Sequence, residues 1–486
     1  MKPTADRYYI KTLGCKANLY DSQLIETELQ KRGWAPAADE DHPDIRLMIV
    51  NSCTVTNEAE RQSRKAAEKL ARHSQARIVM TGCSAEADPE ALTAVPGLHY
   101  IIGNRDKPTL VDRVLKAIED PLPESGAAKA KILGRAQGYT EMVSRHPIDR
   151  EWPLPDSLFD LPSEKVSRRT RAFLKVQEGC NSFCTFCVIP YGRGPSRSLP
   201  LQEVLNRVNE LVAQGAQETL LTGTNLGDYG ADQGGPSQIE NLCEEILLKT
   251  PIKRLRLTSL DPSEISPRLI ELMKAHQPRF SAHFHVSLQS PHSQILKLMK
   301  RQYRHEEVVR CLQALQAASS EIGRGVFVGM DVITGFPGET DEIFEESFQM
   351  LKGLSWSRLH VFPYSERSGT PATRLPGAVE QSVRKQRARR LMALSLERMR
   401  THYLNEKREV LGPVLIERPV KGPTPDGAWV SAYTDHYIRC LVQLESVEQA
   451  RALNNQWVSV KPQKVWIDEP ASDVAWLCSV SNQKTH

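Results

Sequence analysis

The stretch LKVQEGCNSFCTFCVIPYGRGPSRS (174–198) runs from an apolar, strand-like segment into Cys180, Cys184 and Cys187, spaced C-x3-C-x2-C. The chain holds only ten cysteines in 486 residues, so three within eight are a grouping with a purpose. Structural zinc takes four closed ligands, and no fourth Cys or His stands close by. A cubane held by three thiolates leaves one iron open to a small ligand, and protein groups tune its potential. The motif follows the first of six strand signals: AFLKVQE (172–178), ETLLTG (218–223), RLRLTS (254–259), HFHVSLQ (283–289), VFVGMDVITG (326–335) and RLHVFPY (358–364). Amphipathic stretches such as LQEVLNRVNELVAQG lie between them. This alternation predicts a parallel sheet curled into a partial (β/α)6 barrel.

Upstream, one arrangement occurs three times. Cys15 in TLGCKANLYDS (12–22), Cys53 after DIRLMIVNS and Cys83 after ARIVMTG each follow an apolar run and precede a helical pattern. A lone cysteine usually packs as a small hydrophobe. Three at the carboxyl ends of parallel strands predict an open α/β sheet whose thiols converge where such sheets bind ligands. Soft thiolates suit zinc or an iron–sulfur cluster, and the residues alone leave both open.

Past Arg408, PVLIER, AWVSAYTDHYIRCLVQ and QWVSVKPQKVWID predict short strands without helices between them, as in a small β-barrel. The expected organisation is α/β: an open parallel α/β domain over 1–118 and a proline-rich linker over 119–165. The partial barrel follows over 166–404, then the small barrel over 405–470 and a tail over 471–486. Apolar residues make up 40% and charged residues 25%, ordinary for a globular protein, and a net charge of +4 excludes a uniformly basic nucleic-acid coat. No apolar run approaches the ~18 residues of a membrane span. The amino terminus lacks a charged-then-apolar leader. These points predict no membrane partner and a cytoplasmic location, where thiols stay reduced. The basic runs KVSRRTR (165–171) and VRKQRARR (383–390), the latter continuing to Arg408, read either as solvated faces or as phosphate footprints. In HFHVSLQ, the alternating residues His283, His285, Ser287 and Gln289 share one face. Helices cover the outside of such a barrel, so that face is expected to line the interior. Cys243, Cys311, Cys440 and Cys478 stand outside both triplets and read as packing residues.

The C-x3-C-x2-C motif, with Phe186 before its last cysteine and at the head of a partial barrel, resembles that of radical S-adenosylmethionine (SAM) enzymes. The resemblance implies a 4Fe–4S cluster on Cys180, Cys184 and Cys187 whose open iron chelates the SAM methionine group. An electron then breaks the C–S bond to give a 5′-deoxyadenosyl radical. With the three-cysteine domain before it and the small barrel after it, nearly the whole chain apart from the linker resembles the methylthiotransferases. That family implies a second 4Fe–4S cluster on Cys15, Cys53 and Cys83, where the sulfur is assembled, and an RNA-binding TRAM barrel. The six cysteines are then the catalytic set. Phe186, Gly223, Thr224 and Asn225 (in LLTGTNLGDYG), Ser259, Gln289 and Asp331 (in GMDVITGFPGET, with Gly335) are the implied cofactor contacts. Two positions depart from the family pattern: Pro291 after LQS and Ala432 before Tyr433 stand where glycine is usual.

TLGCKANLYDS, VQEGCNSFCTFCVIPYGRG and LHVFPYSERSGTPA are most similar to the subfamily that methylthiolates N6-threonylcarbamoyladenosine at position 37 of tRNA. Relatives acting on isopentenyladenosine 37 more often begin T-x-G-C-Q-M-N, and those acting on a ribosomal-protein aspartate S-L-G-C-P-K-N. Lys16 and Ala17 fit neither. A non-catalytic iron–sulfur RNA-binding regulator is the remaining reading, and two intact cysteine triplets oppose it. The implied partners are the tRNA anticodon loop, SAM, an external electron donor and a sulfur source.

Overall fold

A computed structural model describes residues 6–73, 76–119, 129–134, 159–162, 170–323, 325–406, 408–422, 428–468 and 472–481. The amino-terminal sheet is parallel, in the order β2-β1-β3-β4-β5-β6. Its strands are β1 (Arg7–Thr12), β2 (Ala35–Pro36), β3 (Ile45–Ser52), β4 (Arg77–Gly82), β5 (Tyr100–Ile102) and β6 (Lys131–Ile132). The apolar runs of β3 and β4 sit centrally because both faces of the sheet are covered. Met48 and Val50 pack with Ala67 and Leu70 of helix Asn57–His73 on one face. Leu47 and Ile49 pack with Ile25 and Leu29 of helix Lys16–Lys31 on the other.

The expected linker over 119–165 needs correction where it is described. Lys131 pairs in parallel with Tyr100 and so adds an edge strand to the sheet. Phe159 is buried in the central core, and its carbonyl and that of Asp160 accept from the Tyr20 hydroxyl. The rest of that stretch lies outside the described residues, as does KVSRR of the first basic run.

The central strands are β7 (Arg171–Lys175), β8 (Gln177–Glu178), β9 (Arg197–Ser198), β10 (Glu218–Thr222), β11 (Arg254–Leu257), β12 (Ser259–Leu260), β13 (His283–Gln289), β14 (Phe327–Thr334) and β15 (Arg358–Pro363). Parallel sheets β11-β10-β7 and β12-β13-β14-β15 adjoin through β11 and β12, which are separated only by Thr258. The result is the expected six-stranded arc in chain order, with β8 and β9 as a separate antiparallel pair at its rim. Leu174, Leu221, Leu255, Phe284, Val286, Leu288, Met330 and Val332 face the helices in one apolar core. Strand alternation then turns Lys175, Glu218, Arg254, Arg256, His283, His285, Ser287, Gln289 and Asp331 to the interior. The polar face read from HFHVSLQ therefore lines the cavity.

Strands β16 (Leu411–Val420), β17 (Ala428–Tyr433), β18 (Arg439–Leu444), β19 (Trp457–Asp468) and β20 (Asp473–Val480) close a barrel in the order β16-β17-β18-β20-β19. The last strand falls in the stretch expected to be a tail, so the barrel extends to Val480. Ala432 has its methyl in the barrel core opposite Cys440, so its position does not require glycine. Helix Gln381–Leu404 joins the two barrels and gives Met399 and Tyr403 to the small barrel's core. Its basic run is partly structural. Arg387 is buried and pairs with Glu339 and Asp341, and Arg384 donates to the carbonyls of Tyr364 and Val379. These two arginines fall at helical spacing with Leu391 and Leu394 on the inward face, so they are not a phosphate footprint. Lys385, Arg389 and Arg400 are exposed.

Candidate active site

Each amino-terminal cysteine sits where its strand ends. Cys15 caps helix Lys16–Lys31, Cys53 follows β3, and Cys83 starts the short helix after β4. Two glycines allow the close approach of these turns. Gly14 has φ +94°, and a Cβ there would lie 2.7 Å from both Cβ and Sγ of Cys53. Gly82 has φ +98°, and its Cβ would strike the Ser52 carbonyl at 2.3 Å. Asn18 ties the turns together by donating to the carbonyls of Leu13 and Ser52, each at 2.8 Å. Burial, with Cys83 and Cys15 nearby, pushes the Cys53 thiol up to about 12.

The central cysteines occupy a loop pinned at both ends. Gly179 (φ +78°) lies so close to the Pro195 carbonyl that a Cβ would meet it at 1.9 Å. The Cys180 amide donates to the Gly194 carbonyl at 3.0 Å, and Thr185 bonds Leu298 and Met299. The Ser182 and Ile189 amides each donate to a cysteine sulfur, Cys180 and Cys187 respectively, at 3.4 Å. Arg301 donates to Cys184 Sγ at 3.0 Å and pairs with Asp261. Burial, then Cys184 and Cys180, raises the Cys187 thiol pKa.

The chemistry of these two sets fits clusters. Among the described residues, no group of three or more His, Cys, Asp or Glu closes on a single metal ion. A cubane takes each thiolate on a different iron, so its sulfurs stand farther apart than the ligands of one ion. Three thiols in each set, with N–H donors aimed at sulfur from Ser182, Ile189, Arg301 and Asn104, are a soft donor set of the kind that a 4Fe–4S cluster takes.

The two sets meet across the domain boundary. Helix Ile189–Arg193 begins two residues past Cys187, and Gly192 lies against Cys83, so that a Cβ on the glycine would fall 3.8 Å from that of the cysteine. Asn104 bridges the two by donating to the Gly192 carbonyl at 2.6 Å and to Cys83 Sγ at 3.6 Å. Beside this contact is a buried charge network. Asp21 accepts from Lys107, Lys175 and Arg193, and Glu178 accepts from Lys175 and Arg193. Burial alone would raise the Asp21 pKa, but Lys107, Lys175 and Arg193 together hold it well below the carboxylate range.

The expected cofactor contacts divide. Gly223, Thr224 and Asn225 stand against the cluster loop. A Cβ on Gly223 would press on Gln177, Thr224 Oγ1 donates to Glu178 at 3.0 Å, and the Asn225 amide donates to Gln177 at 2.9 Å. Ser259 pairs with His285 in the sheet register, and Gln289 ends β13 at φ +60°. Phe186 packs edge-on against Phe336 in a small apolar cluster behind the loop. Asp331 lies mid-strand in the cavity, 2.9 Å from His285 Nε2, which stacks on His360. The sequence reading missed the charge network and a second acidic group. Burial and the neighbouring Asp261 push the Glu264 carboxyl up to about 8. A lysine inside the apolar strand AFLKVQE was the one local signal of the network.

The small barrel closes the floor of the cavity. Arg256 stacks on Tyr437 at 4.3 Å, Arg254 on Trp457 at 4.3 Å and Arg171 on Tyr433 at 4.8 Å. A cleft of about 670 Å³ between β7 and β16 shares Arg171 and Phe173 with the interior and adds Arg418 and Arg451. No described helix is long and apolar enough to cross a membrane.

A six-stranded parallel arc with three thiolates in C-x3-C-x2-C spacing at its head defines a radical SAM enzyme, and residues 174–351 match the Radical SAM superfamily. Residues 7–103 match the family described as Uncharacterized protein family UPF0004. The fold resembles that of the radical S-adenosylmethionine methyltransferase TsrM from Kitasatospora setae, at TM-score 0.52 and 18% identity over 74% of this chain and 75% of that one. The threonylcarbamoyladenosine tRNA methylthiotransferase MtaB of Bacillus subtilis is 33% identical over 88% of each chain. The tRNA-2-methylthio-N(6)-dimethylallyladenosine synthase of Anaplasma marginale is 31% identical over 81% of this chain and 80% of its own. The chain belongs to the radical SAM methylthiotransferase family, on its threonylcarbamoyladenosine tRNA methylthiotransferase branch.

Proposed function

We propose that this enzyme converts N6-threonylcarbamoyladenosine at position 37 of tRNA to its 2-methylthio derivative, using SAM and two 4Fe–4S clusters. The observation that carries the reading is the approach of Gly192, five residues past Cys187, to Cys83, a contact between the two cysteine-bearing domains. Similarity to the Bacillus subtilis enzyme along nearly the whole chain supports the choice of substrate. Cys180, Cys184 and Cys187 would hold the SAM-binding cluster, and Cys15, Cys53 and Cys83 the second. Bound together, cluster and SAM supply a radical able to abstract hydrogen from an unactivated C–H such as C2 of adenine, chemistry that side chains lack.

The chain's own residues do the rest. Gly223, Thr224 and Asn225 shape the SAM side of the loop, with Ser259 and Gln289 on the adjoining strands. Arg301 orients Cys184 from behind. Asp21, Glu178 and Arg193 fix the two cysteine domains against each other. Tyr433, Tyr437 and Trp457 seal the floor and keep the cavity's ion pairs from bulk water. A nucleotide in a single-stranded anticodon loop is splayed into such a pocket at modest cost. The small barrel, serving as a TRAM-like RNA-binding domain, and the exposed Lys385, Arg389 and Arg400 would hold phosphates, which position a substrate without reading its sequence. An external electron donor and a sulfur source complete the reaction, and the cytoplasm, where thiols stay reduced, is the proposed location. The test is mass spectrometry of tRNA nucleosides from cells with and without the gene. Loss of the methylthio form with accumulation of threonylcarbamoyladenosine is expected. Loss of methylthio-isopentenyladenosine instead would contradict the reading, as would loss of a methylthio-aspartate from a ribosomal protein.

A further inference from the structure

The N–H donors that reach the sulfurs of the two cysteine triplets are not alike. The backbone amides of Ser182 and Ile189 and the side-chain amide of Asn104 are neutral. Among the described residues, Arg301 alone brings a full positive charge, donating from its guanidinium to Cys184 Sγ at 3.0 Å. The Arg301 side chain is 8% exposed and Cys184 7%, so little water screens that charge. The rest of the guanidinium is held as well. Its Nε donates to the Tyr303 hydroxyl at 3.1 Å, and its Nη2 pairs with Asp261. Tyr303 is buried, and its hydroxyl donates onward to the Ser287 carbonyl at 2.6 Å. Asp261 is fixed in turn, because its amide donates to the Glu264 carboxylate at 2.7 Å. Glu264 has no room to move away, since a Cβ on Gly227 would lie 1.9 Å from its carboxyl carbon. The guanidinium therefore stands with one cysteine sulfur in front of it and one carboxylate behind.

Resting on the assignment of the SAM-binding cluster to Cys180, Cys184 and Cys187, we propose that Arg301 raises the reduction potential of that cluster through Cys184 and that Asp261 limits the rise. Reduction adds one electron, and so one negative charge, to the cluster and its thiolates. A cation in hydrogen-bond contact with one of those sulfurs favours the reduced form over the oxidised one, and burial keeps the attraction strong. The charge-assisted N–H···S bond also draws electron density from the sulfur, which the neutral amides do more weakly. Arg301 acts through Cys184 and is a positioning residue. Asp261 works against it, because its carboxylate cancels part of the guanidinium field and repels the added electron. The two charges set opposing limits. With too little positive charge the external donor cannot reduce the cluster. With too much, the electron is held too tightly to break the SAM C–S bond. A single electron is accounted for throughout: the external donor loses it, and the SAM sulfonium receives it as the C–S bond breaks into methionine and the 5′-deoxyadenosyl radical.

The test is a redox titration of anaerobically reconstituted holoenzyme, followed by electron paramagnetic resonance of the reduced-cluster signal that changes when SAM is added. At the wild-type midpoint, Arg301→Gln should lower the ratio of reduced to oxidised cluster roughly tenfold, which is a shift of about 59 mV for one electron. Asp261→Asn should move the ratio the other way, and Arg301→Lys, which keeps the charge, should stay within about threefold of wild type. Loosened packing would not drive two neighbouring residues in opposite directions. The signal that does not respond to SAM is the internal control and should not move. Iron content is measured for every variant. If Arg301→Gln loses its iron, Asp261→Asn decides alone, and a midpoint that is unchanged or lowered there overturns the role of the pair. Midpoints equal to wild type in both variants, or moving together, would also overturn it while leaving the cluster assignment intact. A wild-type enzyme with no SAM-responsive signal would overturn both.

Discussion

Replacing Asp21 by asparagine removes one charge and almost no volume, at a point where three cations meet. Lys107, Lys175 and Arg193 approach its carboxylate at 2.6, 2.9 and 3.2 Å, with side-chain exposures of 6%, 0% and 3%. Glu178 can still serve Lys175 and Arg193, but Lys107 loses its partner and stays buried. Breaking a buried pair from one side costs about 3–5 kcal/mol. Asp21 and Lys107 both belong to the amino-terminal domain, so that cost loosens helix Lys16–Lys31 within its own domain, and the lost contacts from Lys175 and Arg193 to Asp21 weaken its docking on the central domain as well. Hydrogen exchange should show it as a loss of protection in helix Lys16–Lys31 of roughly two to four orders of magnitude. The effect also has a pH signature. The folded pKa of Asp21 is depressed below its ordinary 3.8. Its stabilisation is therefore complete above that value and is lost as pH falls toward the folded pKa. The asparagine variant should lack this acid-induced opening. Protection within about tenfold of wild type would refute the reasoning, because it would mean the network contributes little to holding that helix in place.

Gly14→Ala should cost the amino-terminal cluster alone, since its Cβ would lie 2.7 Å from both Cβ and Sγ of Cys53 and displace that thiol; reconstituted iron should fall from about eight to about four per chain. Charge reversal at Lys385, Arg389 and Arg400 should flatten the salt dependence of tRNA binding by about 0.9 in log–log slope for each phosphate no longer neutralised. Arg387→Ala should instead lower thermal stability and leave that slope unchanged, because Arg387 is spent on Glu339 and Asp341. Glu264, facing Asp261, Asp228 and Arg301, keeps its proton up to about pH 8 when folded and releases it near 4.5 when unfolded. Wild-type Tm should therefore fall as pH rises across that window, and Glu264→Gln should show a shallower fall.

Local pattern carried what local pattern can carry. The six strands of the arc were legible because each apolar run is bounded and helices of the right period lie between them. The lining of the cavity was legible because HFHVSLQ alternates polar and apolar residues, and a covered outer face leaves only the interior for the polar set. Strand β20 was missed because DVAWLCSV follows the other barrel strands at the chain's end, where a tail is the ordinary expectation. Arg384 and Arg387 looked like solvent-facing charge because the run around them is basic on every side; only the positions of Glu339, Asp341 and Tyr364 reveal which arginines turn inward. The network at Asp21 reaches Arg193, 172 positions along the chain, and no window of sequence contains both ends. Phe186 holds its motif position yet packs against Phe336, a partner that only the fold supplies.

The most direct measurement is a single reaction: anaerobically reconstituted enzyme with SAM, reductant and a sulfur source, offered threonylcarbamoylated and isopentenylated tRNA together, with nucleosides read by mass spectrometry. The expected product is 2-methylthio-N6-threonylcarbamoyladenosine, with isopentenyladenosine left largely unchanged and no such product from the Cys83→Ala enzyme. Preferential methylthiolation of the isopentenylated tRNA, or normal product from Cys83→Ala, would contradict the assignment.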